Sequence, residues 1–170
     1  SAPAAGFDVV GLQNMTVRLG RPMDDNAFVW MGDHLPPAGQ PTDLVRVDDG
    51  GSLVLQSGAP LPHGSQFEFS EYSLLAVTDT HLSLRFGRVR IVNGMEGPSS
   101  PFSDSTIRSD RDPVLLGTPF GIFKISQNSV VDADINGQRI LFFCLAGLAS
   151  YSNTELGENL RLPAGNMIHF

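Results

Sequence analysis

The stretch Ser129-Val-Val-Asp-Ala-Asp-Ile135-Asn-Gly-Gln-Arg139-Ile-Leu-Phe-Phe-Cys-Leu145 decides the fold class. Apolar residues alternate with acids up to Ile135. Asn136-Gly137 then interrupts the run, and a second apolar segment follows. Period-two alternation places successive side chains on opposite sheet faces, and Asn-Gly supplies the positive φ that a tight hairpin requires. The segment therefore predicts two strands, Ser129–Ile135 and Arg139–Leu145, joined by a turn.

Outward from this hairpin the same grammar recurs. Short β-rich runs such as Ser52–Gln56, Gln66–Ser70, Ser73–Val77, His81–Phe86, Arg88–Val92 and Gly121–Ser126 end on Gly, Pro, Asn or Asp. Few segments carry a helical period. The expected fold is all-β, a sandwich or solenoid-like stack of short strands. Asp48-Asp49-Gly50-Gly51 and Asn93-Gly94 read as further turns, and Pro36-Pro37, Pro41, Pro60 and Pro62 mark loops or edges. Gly94–Pro113, rich in Ser, Asp and Pro, reads as a long loop between halves 7–93 and 114–170, with residues 1–6 as an N-terminal arm. Leu82-Ser-Leu-Arg-Phe-Gly87-Arg-Val echoes Phe142-Phe-Cys-Leu-Ala-Gly147-Leu-Ala, and Leu53–Gly58 echoes Leu160–Gly165. These matches suggest two related halves within one domain of residues 1–170.

Charge narrows the partners. The chain has 170 residues and a net charge of −7, and its basic residues are nearly all arginine, Lys124 being the lone lysine. A phosphate backbone or an anionic membrane surface would be repelled, so no nucleic acid is expected as a partner. The longest apolar stretch, Ile140–Ala149, is too short to span a bilayer. Cys144 is the single cysteine and reads as a buried core thiol. The small-residue start Ser1-Ala-Pro-Ala-Ala suits a chain left by signal-peptide cleavage, so a periplasmic or extracellular location is expected.

No chemistry-bearing motif emerges. The sequence has no P-loop, no Gly-x-Ser-x-Gly and no His-Glu-x-x-His. His34, His63, His81 and His169 are scattered, without the close spacing of zinc ligands. Asp24-Asp25, Asp48-Asp49 and Asp132-x-Asp134 complete no calcium loop and read as solvated turn acids. Trp30 and the alternating pair Phe67 and Phe69 read as core, and Asn14-Met-Thr16 matches a glycosylation sequon. No catalytic residue, metal site or cofactor is expected.

The motifs also stand in a familiar order. Val29-Trp-Met-Gly-Asp-His-Leu-Pro-Pro37 is followed by Asp49-Gly-Gly-Ser-Leu-Val-Leu-Gln56 and Leu82-Ser-Leu-Arg-Phe-Gly-Arg-Val-Arg-Ile91. Then come Leu116-Gly-Thr-Pro-Phe-Gly-Ile122, Gly147-Leu-Ala149 and Leu160-Arg-Leu-Pro-Ala-Gly165. Over roughly residues 15–168 the chain resembles the extracytoplasmic FecR-type β domain. It departs from that pattern at Phe123-Lys-Ile-Ser-Gln-Asn128, where the family carries Gly-Thr-x-Phe. The resemblance implies a β domain outside the cytoplasm without catalytic residues. Well-studied members add a membrane helix and a cytoplasmic sigma-regulating segment, neither of which this sequence contains.

A non-enzymatic, exported structural protein is therefore expected, packing into a filament sheath, coat or other envelope assembly through protein partners. The alternatives are a FecR-type periplasmic sensor or adaptor, and a carbohydrate- or peptidoglycan-binding module. Candidate partner contacts are Ser1, Ala2 and Pro3 in the arm and Phe102, Ile107, Arg108 and Arg111 in the connecting loop.

Overall fold

The computed structural model describes residues 7–13, 17–20, 44–57, 65–77, 81–94, 113–153 and 158–170. Every regular element among them is a strand. In order they are β1 (Phe7–Gln13), β2 (Val17–Gly20), β3 (Leu44–Val47), β4 (Ser52–Ser57), β5 (Gln66–Phe69), β6 (Leu74–Val77) and β7 (Leu82–Asn93). The second series is β8 (Val114–Thr118), β9 (Gly121–Ile125), β10 (Ser129–Asn136), β11 (Arg139–Ala146), β12 (Leu148–Asn153), β13 (Glu158–Pro163) and β14 (Met167–His169). The all-β expectation holds.

The strands form two layers that share β7. One runs β1-β4-β5-β7-β10-β11-β14 and the other β2-β3-β6-β7-β8-β9-β12-β13. All pairings are antiparallel except the short parallel match of β7 with β8. Leu82–Phe86 of β7 pair within the second layer, and the residues after Gly87 pair within the first. The two runs predicted on either side of Gly87 are thus one strand of 12 residues. Gly87, at φ +100°, redirects the chain between layers without reversing it. Asp48–Gly51, predicted as a hairpin turn, likewise joins strands of different layers, because β3 pairs β2 and β6 while β4 pairs β1 and β5. Asn136-Gly137 does close a hairpin, with Asn136 opposite Arg139 and Gly137 at φ +61°.

Inward residues of both layers meet in one core. Leu53, Leu55, Phe67, Phe69, Val89, Ile91, Val131, Ala133 and Phe142 come from the first layer, and Leu75, Leu84, Leu116, Phe123, Ile125 and Tyr151 from the second. Phe123 stacks on Phe142 across the layers with ring centroids 3.9 Å apart. Phe67, Phe69 and Cys144 are buried, as their sequence contexts predict.

A duplicated unit organises this core. Phe67-Glu-Phe-Ser-Glu-Tyr-Ser73 and Phe123-Lys-Ile-Ser-Gln-Asn-Ser129 occupy equivalent places. In the first, Phe67 and Phe69 lie opposite Ile91 and Val89; in the second, Phe123 and Ile125 lie opposite Tyr151 and Ala149. A register shift falls between Leu74 and Leu75 in β6, and between Val130 and Val131 in β10. The residue before each closing serine, Tyr72 or Asn128, has positive φ (65° and 61°). Each serine then clasps the peptide after a bending glycine. Ser73 Oγ accepts from Arg88 N at 3.2 Å and donates to Arg88 O at 3.1 Å. Ser129 Oγ accepts from Leu148 N at 2.9 Å and donates to Leu148 O at 3.1 Å.

The two units exchange layers. β5 and the second part of β7 lie in the first layer, whereas their counterparts β9 and β12 lie in the second. The Gly87 and Gly147 segments are therefore true equivalents. The predicted match of Leu53–Gly58 with Leu160–Gly165 is not, since Leu53 and Leu55 face Phe69 and Phe67 where the second unit uses Val114 and Leu116 against Ile125 and Phe123. Gly58 itself lies outside the described residues.

Candidate partner-binding surface

The predicted contact residues Ser1, Ala2, Pro3, Phe102, Ile107, Arg108 and Arg111 all lie outside the described residues, as do His34, His63, Trp30 and the Asn14–Thr16 sequon. What the described residues bring together is the outward face of the first layer and its free side at β14.

Two outward rows that carry paired charges cross that face. Glu68, Arg90, Asp132 and Phe143 stand in register on β5, β7, β10 and β11. Arg90 donates to both Asp132 oxygens, from Nε at 2.7 Å and from a terminal nitrogen at 2.8 Å. That contact holds the Arg90 guanidinium above its usual range, through the hydrogen bond first and the charge of Asp132 second. Arg88 lies 3.7 Å from Asp134 in the next row. Asp132 and Asp134, predicted as solvated turn acids, are strand residues that pair with arginines across the ladder. Asp48 and Asp49 do lie at a turn, and Asp24 and Asp25 lie outside the described residues.

Toward β14 the face turns apolar. Strand alternation puts Leu141, Phe143 and Leu145 of β11 outward, because Ile140, Phe142 and Cys144 fill the core. Leu141 and Leu145 are 43% and 40% exposed, and Met167, opposite Phe143, is 51% exposed. Apolar neighbours of this kind on an outer sheet face mark interaction surfaces more often than scattered single residues do.

Beside this strip, β14 has a free side. Phe170 N donates to Ile140 O at 3.1 Å, and Cys144 N donates to Asn166 O at 3.0 Å. The backbone groups of Asn166, Ile168 and Phe170 therefore face β11, and those of Met167 and His169 face away from it. Among the described residues no strand pairs with β14 on that side. Phe170 is anchored by its ring, stacked on Phe120 at 5.8 Å and tilted against Tyr151 at 5.4 Å. Tyr151 is itself fixed, its hydroxyl donating to Phe120 O, which also receives Asn153 Nδ2 at 3.1 Å.

A concavity of about 430 Å³ opens where β10, β11 and β14 end, lined by Asp134, Asn136, Arg139, Leu141, His169 and Phe170. Asp134 is engaged by Arg88, whereas Arg139 is exposed and enters no ion pair among the described residues. Of the histidines, His169 lies on this rim, and His81 is half-buried at the start of β7, where desolvation lowers its pKa from 6.5. Among the described residues no group of three or more His, Cys, Asp or Glu is placed to hold a metal ion. The β14 edge was missed in sequence because Met167–His169 predicts a strand without saying which of its sides is paired. Leu141, Phe143 and Leu145 gave a usable signal: an apolar run on both faces of one strand.

No family model matches the sequence, and no curated protein does. Among solved structures, the fold is similar to two crystal structures, at 2.50 and 1.65 Å resolution, of a "putative anti-sigma factor" from Parabacteroides distasonis ATCC 8503. Each superposes with a TM-score of 0.50 at 12% identity, over 74% of this chain and 53% of the other. The chain thus spans about half the length of the structures it matches. No helix among the described residues is long and apolar enough to cross a membrane.

Proposed function

We propose that this chain is a non-enzymatic, exported assembly module that joins a larger envelope structure by binding a protein partner on the β11–β14 side of its first layer. The observation that carries this reading is the outward apolar strip of exposed Leu141, Leu145 and Met167 with half-buried Phe143, beside a strand whose outer side no described strand pairs. Exposed strand edges template pairing with other chains, and domains that remain free usually blunt them by shortness, charge, proline or a bulge. β14 is short, at three residues, but carries no Lys, Arg, Asp or Glu and no proline. Here Met167 and His169 flank the edge instead. The FecR resemblance supports a periplasmic or extracellular setting.

A second reading, a FecR-type sensor or adaptor, draws on the fold likeness to the Parabacteroides structures. Both readings require a protein partner and differ in what that partner is. Carboxylate-reactive cross-linking of intact cell envelopes, followed by mass spectrometry, separates them, and suits a chain whose lone lysine is Lys124. Repeated links to one abundant filament or surface protein are expected. Links confined to a transmembrane regulator or receptor would replace the assembly role by the adaptor role, and links to no protein would overturn both.

A further inference from the structure

We infer that the outer side of β14 docks an extended segment of a partner polypeptide, added to the first layer as a further strand. One of its apolar side chains seats in the concavity between Leu141 and Phe170, and one of its carboxylates meets Arg139. This rests on the assembly reading and names its contact.

The hydrogen-bonding argument comes first. Met167 and His169 each turn one N–H and one C=O away from β11, which is the pattern that strand addition uses. The duplicated unit supplies a second, independent argument. The counterpart of β11 is the first part of β7, whose neighbour β8 carries β9 on its far side over Val114–Thr118. β14 lies beside β11 where β8 lies beside β7, antiparallel where β8 is parallel, and on its far side no strand follows among the described residues. Among the described residues the outer side of β14 therefore has room for a further strand.

Charge selects the occupant. Arg88 and Arg90 are matched by Asp134 and Asp132, which leaves Arg139 as the cation on this rim that enters no ion pair among the described residues. A second copy offers no acid there through its own β14 and β11, whose outward side chains are Met167, His169, Leu141, Phe143 and Leu145. Two copies also each carry −7. A different polypeptide, with alternating apolar residues and a carboxylate, fits the groove better.

The probe is a fluorescein-labelled peptide of alternating valine and threonine with one central glutamate, alongside a twin bearing lysine in its place. Added to the full chain, the glutamate peptide is expected to raise anisotropy and to slow amide exchange at Met167 and His169. The lysine twin is expected to bind about fivefold more weakly, the scale of one exposed charge pair. His169→Pro removes an outward donor that β11 does not use, and is expected to abolish binding. Arg139→Glu, which leaves the backbone untouched, is expected to reverse the preference between the two peptides. No anisotropy change with either peptide up to millimolar concentration overturns the proposal, as does binding indifferent to both substitutions. A dimer of the chain that His169→Pro dissolves would assign the edge to a second copy and overturn it too. Envelope cross-links that persist unchanged in His169→Pro overturn this site while leaving the assembly reading standing; loss of all links in the unmodified protein removes that reading itself.

Discussion

The serine clasps are the points at which single atoms decide the path of the chain. Ser73 and Ser129 are fully buried, and each hydroxyl accepts from the N–H and donates to the C=O of one residue. Removing the Ser129 hydroxyl leaves Leu148 N–H short of a partner where water does not reach, while Leu148 O keeps the bond from Ser126 N at 3.0 Å. Ser129→Ala is therefore expected to cost about 1–3 kcal/mol, read from urea denaturation. The glycine on the other side of the clasp is more constrained. At Gly87, φ +100°, an added Cβ would stand 2.5 Å from Ser73 Cα; at Gly147, φ +79°, it would stand 2.8 Å from Ser129 Cα and overlap its hydroxyl. Backbone strain and overlap act together, so Gly147→Ala is expected to lose about 3 kcal/mol or more. Gly137→Ala, at φ +61° with nothing within 4 Å of the new methyl, is the control and is expected to lose about 1 kcal/mol. A Gly147→Ala loss no larger than that of Gly137→Ala would refute the clasp argument. The sequence made both bending glycines visible as interruptions but not as bends, because a glycine between two β-runs signals positive φ whether the chain reverses or only changes layer. The serines were legible only by aligning Phe-x-Phe/Ile-Ser-x-x-Ser with itself, since a serine before a strand ordinarily reads as part of a turn.

Between elements, the strength of a contact depends on its exposure more than on its geometry. The Arg90–Asp132 pair has near-ideal bidentate distances, yet its side chains are 51% and 32% exposed. Solvent screening limits such a pair, so Asp132→Asn is expected to lower stability by less than about 1 kcal/mol, and still less in high salt. His81 differs because it is half-buried where β7 meets β8. An added Cβ on Gly117 would stand 3.2 Å from its ring. Desolvation disfavours the charged imidazole and lowers its folded pKa below 6.5. The unfolded chain therefore takes up the proton first. The stabilising contribution is complete above 6.5 and is lost as pH falls through the lower folded value. Urea midpoints compared at about pH 7.5 and about pH 5 should thus fall further for the unmodified protein than for His81→Gln. An equal fall would place the acid sensitivity elsewhere. At this scale alternation located nearly every strand, and burial of Phe67, Phe69 and Cys144 followed from it. The partners of those strands did not follow, because cross-strand pairing is set by residues far apart in sequence, such as Arg90 and Asp132.

For the molecule as a whole, β7 is the element on which both layers and both repeated units depend. Its first part pairs β6 and β8, and its second pairs β5 and β10. No cut after β7 yields a self-sufficient half. In the second half alone, β10 would keep β11 but lose β7 along all its residues from Ser129 to Ile135, and Val131 and Ala133 would lose Ile91 and Val89 opposite them in the core. Two related units would ordinarily suggest two folding units, but here each unit contributes strands to both layers, so neither encloses a core by itself. Residues 113–170 expressed alone are accordingly expected to show a disordered circular dichroism spectrum and unprotected amides. The full chain is expected to unfold in one transition, with coincident curves from circular dichroism and from amide exchange at β5 and β11. A folded 113–170 fragment, or β5 and β11 opening at separate denaturant concentrations, would mean that the units are independent and that β7 merely bridges them. In the expected outcome the slowest-exchanging amides lie in β7 and β10 and the fastest in β14, because β14 is held through three residues and the Phe170 ring and no described strand pairs with its outer side.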